Sequence, residues 1–372
     1  VIFTQAAGRR VRSLAFARLQ ITFHPQAVQK ARRPLIQTWK PTAGQALKLL
    51  ITESAVYEVR GAALQAAGIA IDAIVPSDLK LFYKGIEQPL ALQPQYSDRL
   101  SYEDAIRFYA ERRSGADDYY DADGDTAVYW LDWSPSPGRR YQPVTAGLSG
   151  ETVDRLPTLM HLEQNLTYYS GDTSDDIQNT EQVPGEGWVW AIINRDASFS
   201  LPFDLVHLDE GQDSVRFRLR LRGLTLDPHT PDHHVRIFVN QAPACELFFN
   251  DREQVLPDFK VVTTSLKTSG NTMEIRLIGD TPSAISQIFL DWLEVSYAQR
   301  ARSVNGRYEF TGADLATHQS LLVTGFNGRP FVWDLAAGRS IDSVRIAPYH
   351  RIQLQVRSAG LSDGNYALFS LD

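Results

Sequence analysis

The segment Val215-Arg216-Phe217-Arg218-Leu219-Arg220-Leu221-Arg222 gives the clearest indication of the fold, because apolar and basic residues alternate along it without a break. An extended strand places alternate side chains on opposite faces, so one face of this strand is apolar and the other is charged. More strand-like runs follow as far as Tyr297, separated by turn-rich segments. These runs are Val235–Val239, Glu246–Phe249, Met273–Ile278 and Ile288–Val295. The pattern predicts an antiparallel β-sandwich of the jelly-roll type.

The length of the chain predicts more than one domain. Its 372 residues exceed one ordinary sandwich, since a domain usually takes about 100–200 residues. We therefore predict a mainly β, multi-domain protein. Its four predicted parts are a basic extended arm over residues 1–46, a small mixed β domain with a short helix over 47–150, the jelly-roll sandwich over 151–300 and a small all-β module over 301–372.

Two tight turns are predicted in the small mixed domain. Leu47–Ile51 and Val56–Val59 have strand composition and flank Glu53-Ser54, which suggests a hairpin. Lys84-Gly85 follows another strand-like run and is predicted to form a second hairpin turn. A short Ala-rich helix is predicted over Gly61–Gly68.

Charge is unevenly spread along the chain. The net charge is −7, yet Glu53 is the first acidic residue. We interpret the basic leader as a solvated, strand-forming arm, and its charge would also suit an acidic surface of the same chain or of a partner. The acidic remainder argues against nucleic-acid binding, and no apolar run reaches the roughly 20 residues that span a bilayer. The leader contains Arg9, Arg10, Arg12, Arg18, Lys30, Arg32, Arg33, Lys40 and Lys48.

The start of the chain and its cysteine content give little further guidance. Val1-Ile2-Phe3-Thr4 does not have the basic end and apolar core of a secretion signal. Cys245 is the only cysteine, so an internal disulfide is excluded and the cysteine content does not identify a compartment.

An acidic run in the small mixed domain is a candidate calcium site. The segment 117–125 holds five aspartates in nine residues, and Ca²⁺ takes six to eight oxygen ligands. The predicted ligands are Asp117, Asp121, Asp123 and Asp125. Gly124 does not stand where an EF-hand loop starting at Asp121 needs its glycine. A solvated acidic turn is the alternative that we favour, and no cofactor is predicted to be required.

A second cluster combines histidine and aspartate. Asp227, His229, Asp232, His233 and His234 lie between two predicted strands, and such residues are zinc ligands in many proteins. Two prolines in the same segment indicate a turn, so we favour a structural loop. The chain has no HExxH, GxSxG, CxxC or phosphate-binding glycine motif.

Aromatic residues near the start of the sandwich permit a different function. Tyr168, Tyr169, Trp188 and Trp190 are candidates for stacking on sugar rings if they are exposed and coplanar. The run Trp188–Ile192 is also apolar enough to be a core strand, and this is the alternative that we favour.

The last strand of the predicted sandwich has apolar residues at both parities. Ile288, Leu290 and Trp292 share one parity, and Phe289, Leu293 and Val295 share the other. We interpret this as a strand with both faces covered, one by the sandwich core and one by a neighbouring module.

Several of these segments resemble the non-catalytic N-terminal region of gingipain-like cysteine peptidases, which are exported by the type IX secretion system of Bacteroidota-type bacteria. The resemblance implies a secreted or surface protein on the exterior of the outer membrane, with a peptidase domain as its partner in cis. It also implies that Asp372 is a boundary in front of that domain. The resembling segments are Val56–Val59, Ala67–Ile69, Leu79–Phe82, Ile106–Tyr109, Val128–Leu131, His234–Asn240 and Gln287–Tyr297.

The Cys and His dyad of that family has no counterpart in this sequence, because Cys245 falls within a strand-like run. We therefore predict a non-catalytic region that assists folding, latency or surface attachment of a peptidase. The alternative is a carbohydrate-binding or adhesive jelly roll that contacts a cell-surface glycan or protein. A glycoside hydrolase is the third hypothesis.

Overall fold

The computed structural model describes residues 46–115, 119, 121, 124–145, 151–169, 187–315, 319–327, 330–341, 345–347, 351–355 and 365–370. The chain divides into two compact units, Val1–Trp39 and Lys40–Asp372, and every described residue belongs to the second. The predicted basic arm over 1–46 therefore lies outside the described residues except for Ala46. The described part is mainly β and contains several antiparallel sheets, as the sequence predicts.

The first domain packs two small antiparallel sheets and one short helix around a shared core. One sheet has the order β1-β7-β3-β4 and the other has the order β2-β6-β5. The helix α1 contributes the buried Leu64 to their core. The elements are β1 (Ala46–Ile51), β2 (Ala55–Arg60), α1 (Gly61–Ala66), 3-10 turns at Ile71–Ala73 and Pro76–Asp78, β3 (Lys80–Tyr83), β4 (Ile86–Gln88), β5 (Ala91–Leu92), β6 (Ala105–Ala110) and β7 (Ala127–Asp132).

One of the two predicted hairpins is correct and the other is wrong. Strands β3 and β4 pair around Lys84 and Gly85, whose φ angles of 50° and 82° suit a two-residue hairpin turn. Strands β1 and β2 do not pair with each other, because β1 pairs with β7 and β2 pairs with β6. The chain at Glu53-Ser54 instead passes from one sheet to the other.

The second domain is the antiparallel β-sandwich that the sequence predicts. One sheet has the order β10-β21-β15-β18, with β13 also pairing to β21 and β19 to β15, and the facing sheet has the order β14-β20-β16-β17. Two short strands precede it, β8 (Gln142–Val144) and β9 (Glu151–Val153). Its own elements are β10 (Arg155–Glu163), β11 (Thr167–Tyr168), β12 (Trp188–Val189), β13 (Ala191–Asn194), β14 (Ser198–Phe203), β15 (Ser214–Gly223), β16 (His233–Val239), β17 (Ala242–Phe249), β18 (Gln254–Val255), β19 (Asp258–Val262), a 3-10 turn at Thr263–Ser265, β20 (Asn271–Leu277) and β21 (Gln287–Arg300).

Alternation along β15 has the predicted consequence. Its apolar residues Val215, Phe217, Leu219 and Leu221 are 0 % exposed and belong to the sandwich core. The arginines between them lie on the outer face of the sheet and bond to acidic residues of neighbouring strands. These bonds are Arg216 Nε to Asp258 Oδ1 at 2.8 Å, Arg218 Nη1 to Glu294 Oε2 at 3.2 Å and Arg220 Nη1 to Asp291 Oδ2 at 3.1 Å.

A β-bulge in β21 explains the two parities of its apolar residues. Leu219 faces Leu293 and Leu221 faces Leu290, so two residues of β21 stand opposite the single Arg220. The extra residue reverses the parity of the strand, as a bulge does. Ile288, Leu290, Leu293 and Val295 therefore all join one core. The interpretation of two separately covered faces is wrong for these four residues.

The third domain is a small β module that takes strands from two distant parts of the chain. Its sheets have the orders β22-β28-β24-β25-β8 and β26-β27-β23-β9. Strand β8 is parallel to β25 and β9 is parallel to β23. The elements are β22 (Arg307–Thr311), a 3-10 turn at Gly312–Asp314, β23 (Gln319–Val323), β24 (Phe331–Asp334), β25 (Arg339–Ile341), β26 (Arg345–Ala347), β27 (Arg351–Gln355) and β28 (Asn365–Phe369).

Residues on both sides of the predicted boundary at 150 therefore contribute to the third domain. The chain leaves the first domain, adds β8 and β9 to the module, builds the sandwich and then returns to complete the module. The sandwich and the module are consequently joined by two chain crossings, one at Asp154 and one near Ala301. A backbone bond from Ala301 N to Asp154 O at 2.8 Å ties these crossings together.

A buried carboxylate reinforces the same junction. Asp209 is 2 % exposed, accepts a bond from Arg155 Nη1 at 2.5 Å and accepts another from Arg300 Nη2 at 2.9 Å. Arg155 begins β10 and Arg300 ends β21, so Asp209 fixes both crossings to the sandwich. In the part of the chain that the structure describes, no helix is long and apolar enough to cross a membrane.

Candidate functional site

A groove follows strand β10 along the edge of the larger sandwich sheet. Two cavities make up this β10 groove, and Leu159 lines both. Leu159 and His161 have the same parity and pair with Ser296 and Glu294 of β21, so their side chains lie on the outer face of the sheet. We call the two ends of the groove the aromatic lobe and the junction lobe.

The aromatic lobe has a volume of about 460 Å³ and is built around His161. The ring of His161 stacks on Tyr119 of the first domain, with ring centroids 4.2 Å apart and planes inclined by 16°. Trp292, an outward residue of the β21 bulge, lies 5.8 Å from the same ring. The guanidinium group of Arg112 lies over the Tyr119 ring, with its carbon 3.6 Å from the ring centroid. The lobe thus joins the first domain to the sandwich.

Carboxylates hold the imidazole of His161 at both nitrogens. Nε2 lies 2.8 Å from Glu163 Oε2, and Nδ1 lies 3.4 Å from Glu294 Oε1. Glu294 also accepts the bond from Arg218, so the histidine joins the charged ladder on the outer face of the sheet. The two carboxylates fix the orientation of the imidazole ring.

The junction lobe has a volume of about 520 Å³ and receives side chains from all three domains. Tyr109 comes from the first domain, Leu156–Leu159 from the sandwich and Tyr308–Thr311 from the module. The hydroxyl of Tyr109 donates to Glu309 Oε2 at 3.4 Å. Arg307 donates to Glu309 Oε1 at 2.8 Å and also to the carbonyl of Ser54.

Two carboxyl groups of the junction lobe titrate above their ordinary range. Burial raises the pKa of Glu309, against the opposing effect of Arg307. Burial also raises the pKa of Asp314, and a hydrogen bond with the Thr311 backbone lowers this pKa by a smaller amount. Burial raises the pKa of Tyr109, so this phenol stays protonated at neutral pH. The lobe is an acidic cleft in which no Lys or Arg is among the described lining residues.

Two of the four predicted calcium ligands, Asp121 and Asp125, are among the described residues. Asp117 and Asp123 lie outside the described residues. Asp121 pairs with Arg113 Nη2 at 2.7 Å, and the carbonyl of Asp125 accepts a bond from the Arg113 backbone. Among the described residues no group of three or more His, Cys, Asp or Glu side chains is arranged for a metal ion. Calcium binding by the acidic segment 117–125 remains a prediction.

The Asp and His cluster forms hydrogen bonds within the fold. His233 bonds to Ser286 Oγ and to the carbonyl of Asp251, both at 2.8 Å. His234 bonds to Asp280 Oδ1 and Glu246 Oε1, both at 2.7 Å. All four ring nitrogens therefore have partners within the fold, and both histidines lie in strand β16 rather than in the predicted loop.

The four candidate sugar-binding aromatics separate in the structure. Trp190 is buried in the sandwich core, and Tyr169 packs against a small buried cluster. Tyr168 and Trp188 face each other across the β11 and β12 pair and are 57 % and 39 % exposed. Their planes are inclined by 58°, so these two rings do not form one flat platform.

Cys245 has the properties of a structural residue. It lies in β17 and packs against the sandwich core. Burial raises the pKa of its thiol, whereas a nucleophilic cysteine needs a lowered pKa.

Sequence reasoning missed the β10 groove. The signal that was available is the common parity of Leu159, His161 and Glu163, which places an exposed apolar residue and two polar residues on one face. The partners of these residues come from β21, from the first domain and from the module. No local pattern reveals contacts between such distant segments.

Comparison with known proteins gives a likeness of fold. No family model and no curated protein sequence matches the chain. The crystal structure of dimeric latent PorU from Porphyromonas gingivalis matches with a TM-score of 0.64 and 11 % identity over 88 % of this chain and 32 % of that chain. The matched region is thus about a third of the PorU chain, and it shows a likeness of fold over most of this chain.

Domains of carbohydrate-active proteins match much more weakly. The CBM36-1 domain of a multidomain xylanase from the hindgut metagenome of Trinervitermes trinervoides has a TM-score of 0.23 and 12 % identity over 37 % of this chain and 95 % of that chain. The cycloalternan-forming enzyme from Listeria monocytogenes has a TM-score of 0.23 and 9 % identity over 69 % of this chain and 20 % of that chain. These scores are too low to support an argument about function.

Proposed function

We propose that this chain is the non-catalytic N-terminal part of a secreted gingipain-like cysteine peptidase of the type IX secretion system. The observation that carries the proposal is the likeness of fold, with a TM-score of 0.64, between 88 % of this chain and 32 % of the PorU chain. The short motifs between Val56 and Tyr297 resemble the gingipain-like family and are consistent with it.

The contacts between the domains suit a rigid scaffold. Asp209 holds the ends of β10 and β21 from which the chain crosses to the module, and Leu156 of β10 packs into the core of the module. Arg307 and Tyr109 connect the module to the first domain. Tyr119 connects the first domain to the sandwich. Each pair of domains therefore shares at least one specific contact, and a body of this kind can present a fixed surface to a peptidase domain in cis.

The environment of Cys245 supports a role without catalysis. A half-buried thiol with a raised pKa on a core-packed strand is a weak nucleophile. We therefore assign the chemistry to a separate catalytic domain, and we place the protein at the cell surface or in the medium.

An activity assay in trans tests the proposal. The purified chain is added to a caspase-like peptidase domain of a gingipain-like protein from the same organism, either native or refolding from denaturant. We expect a lower peptidase rate or a higher yield of active refolded peptidase, and Asp209→Asn provides a matched variant with a weakened scaffold. If neither the rate nor the yield changes, latency and folding assistance are both wrong.

Carbohydrate binding is the second candidate: the exposure of Tyr168 and Trp188 favours it, and the 58° angle between their planes weighs against a flat stacking platform. A glycan array with wild type and Trp188→Ala distinguishes this candidate, because a glycan bound at that pair is lost in the variant. Uniform absence of binding removes the carbohydrate hypothesis and leaves the peptidase hypothesis untouched.

A further inference from the structure

Strand β10 forms one edge of its sheet. It pairs with β21 on one side, and no described strand pairs with its other side. Strand β22 forms the edge of its own sheet in the module, and its residues line the junction lobe together with those of β10. The groove is therefore bordered by edge strands of two domains. An edge strand presents unpaired backbone N–H and C=O groups that can bind another extended chain.

Pro157 indicates which backbone groups of β10 face the groove. Proline within a sheet is confined to edge positions at which its missing N–H would face away from the neighbouring strand. In an antiparallel strand the N–H and C=O of one residue point to the same side, and this side alternates along the strand. Leu159 and His161 have the parity of Pro157, so their backbone groups are directed towards an incoming strand.

The side chains that line the β10 groove determine which kind of polypeptide segment it can bind. Leu159 is 58 % exposed on this edge and offers an apolar contact to a side chain of the incoming strand. Glu309 is held by Arg307, whereas Asp314 has no cationic partner among the described residues. Among the described residues, the junction lobe is lined by one carboxylate without a cationic partner and by no Lys or Arg, so this lobe is complementary to a cationic side chain, whereas Arg220 lines the aromatic lobe.

We propose that the β10 groove binds an extended, cationic segment of a partner polypeptide. This segment adds a strand to the outer edge of β10, covers Leu159 and places a Lys or Arg side chain against Asp314. Strand β10 has nine residues, which corresponds to about 30 Å at roughly 3.4 Å per residue, enough for a segment of six to eight residues. The inference does not depend on whether the partner is a peptidase.

Fluorescence anisotropy with synthetic peptides tests this proposal. The probe is a fluorescein-labelled, acetylated hexapeptide of sequence TVRVTV, and the first control is TVEVTV. The second control is TVRVTV methylated on alternate backbone amides, which keeps the charge and removes the donors needed for strand addition. The protein variants are Asp314→Asn and the matched control Asp72→Asn, which lies on the surface of the first domain. Circular dichroism establishes that both variants are folded.

We expect TVRVTV to bind and the two control peptides to bind at least about tenfold more weakly. Asp314→Asn is expected to weaken TVRVTV about tenfold, and Asp72→Asn is expected to leave it unchanged. Equal binding of TVEVTV or of the methylated peptide overturns the charge contact or the strand addition, respectively. Absence of binding at millimolar peptide overturns the proposal as a whole. Self-association of the protein that blocks the peptide shows that a second copy occupies the groove, and this also overturns it.

Discussion

Tyr119 of the first domain stacks on His161 of the sandwich at a centroid distance of 4.2 Å, and the two residues close one end of the β10 groove. Glu163 and Glu294 hold the imidazole from the sandwich side, and Arg112 covers the phenol from the first domain. The contact is therefore a small stack that links two domains.

Removing the Tyr119 ring should weaken the link between the first domain and the sandwich. We expect Tyr119→Ala to lower the free energy of unfolding by about 0.5–1.5 kcal/mol, the range of an aromatic pair. Hydrogen exchange should become faster around Arg112 and His161. Tyr102→Ala is the control, because this tyrosine is also exposed and its ring makes no described aromatic contact. Equal exchange in both variants would contradict a stabilising stack.

The Asp209 clamp should contribute more to stability. Asp209→Asn leaves Arg155 and Arg300 facing an uncharged amide. We expect a loss of about 2–3 kcal/mol in urea unfolding, at the low end for a buried ion pair because both guanidinium groups are partly exposed. Asp213→Asn on the same domain is the control. A loss no larger than that of the control would show that the clamp is not stabilising.

The same clamp predicts a dependence on pH. The bond from Arg155 holds the pKa of Asp209 below its ordinary value. The charged form is therefore favoured by folding, so its stabilisation is present above the unfolded pKa of about 3.9 and is lost as pH falls through the folded pKa. The stability difference between wild type and Asp209→Asn should shrink as the pH falls below about 4. A difference that stays constant down to pH 2 would contradict this assignment.

Gly223 should tolerate no side chain. A Cβ at this position would overlap the carbonyl of Asp251 and lie 2.5 Å from His233 Nε2. Both contacts are with groups fixed by hydrogen bonds, so we expect Gly223→Ala to cost more than about 2 kcal/mol. Gly211→Ala, where the same atom meets only contacts of 3.6 Å or more, should be tolerated. Thermal unfolding of the two variants measures the difference.

Calcium binding by the acidic run predicts a shift in melting temperature. Ca²⁺ should raise the Tm relative to EGTA, since a ligand that binds only the folded state stabilises it. Asp125→Asn should reduce the shift by removing a ligand charge. An identical Tm in Ca²⁺ and EGTA removes the calcium hypothesis and leaves the solvated acidic turn.

Patterns within single strands made the fold class predictable. The alternation of 215–222 correctly assigned an apolar and a charged face, and Lys84-Gly85 correctly marked a hairpin. Pairing between strands was less accessible, because composition does not encode which partner a strand chooses. For this reason the predicted pairing of β1 with β2 is wrong, although both segments are strands.

The remaining discrepancies have similar physical causes. The β21 bulge reverses side-chain parity, and its presence depends on the register with β15 rather than on the residues of β21 alone. Strands β8 and β9 join the module through parallel pairing with residues far along the chain. The β10 groove brings three domains together, so its acidic and aromatic residues are scattered in sequence.

Direct binding to a peptidase domain tests whether this chain is the companion of a gingipain-like peptidase. The chain is mixed with a caspase-like domain of a gingipain-like protein from the same organism, and the mixture is examined by size-exclusion chromatography with light scattering. We expect one peak with the summed mass of a one-to-one complex. Two separate peaks at micromolar concentrations of both proteins would contradict the assignment of this chain as the companion of such a peptidase.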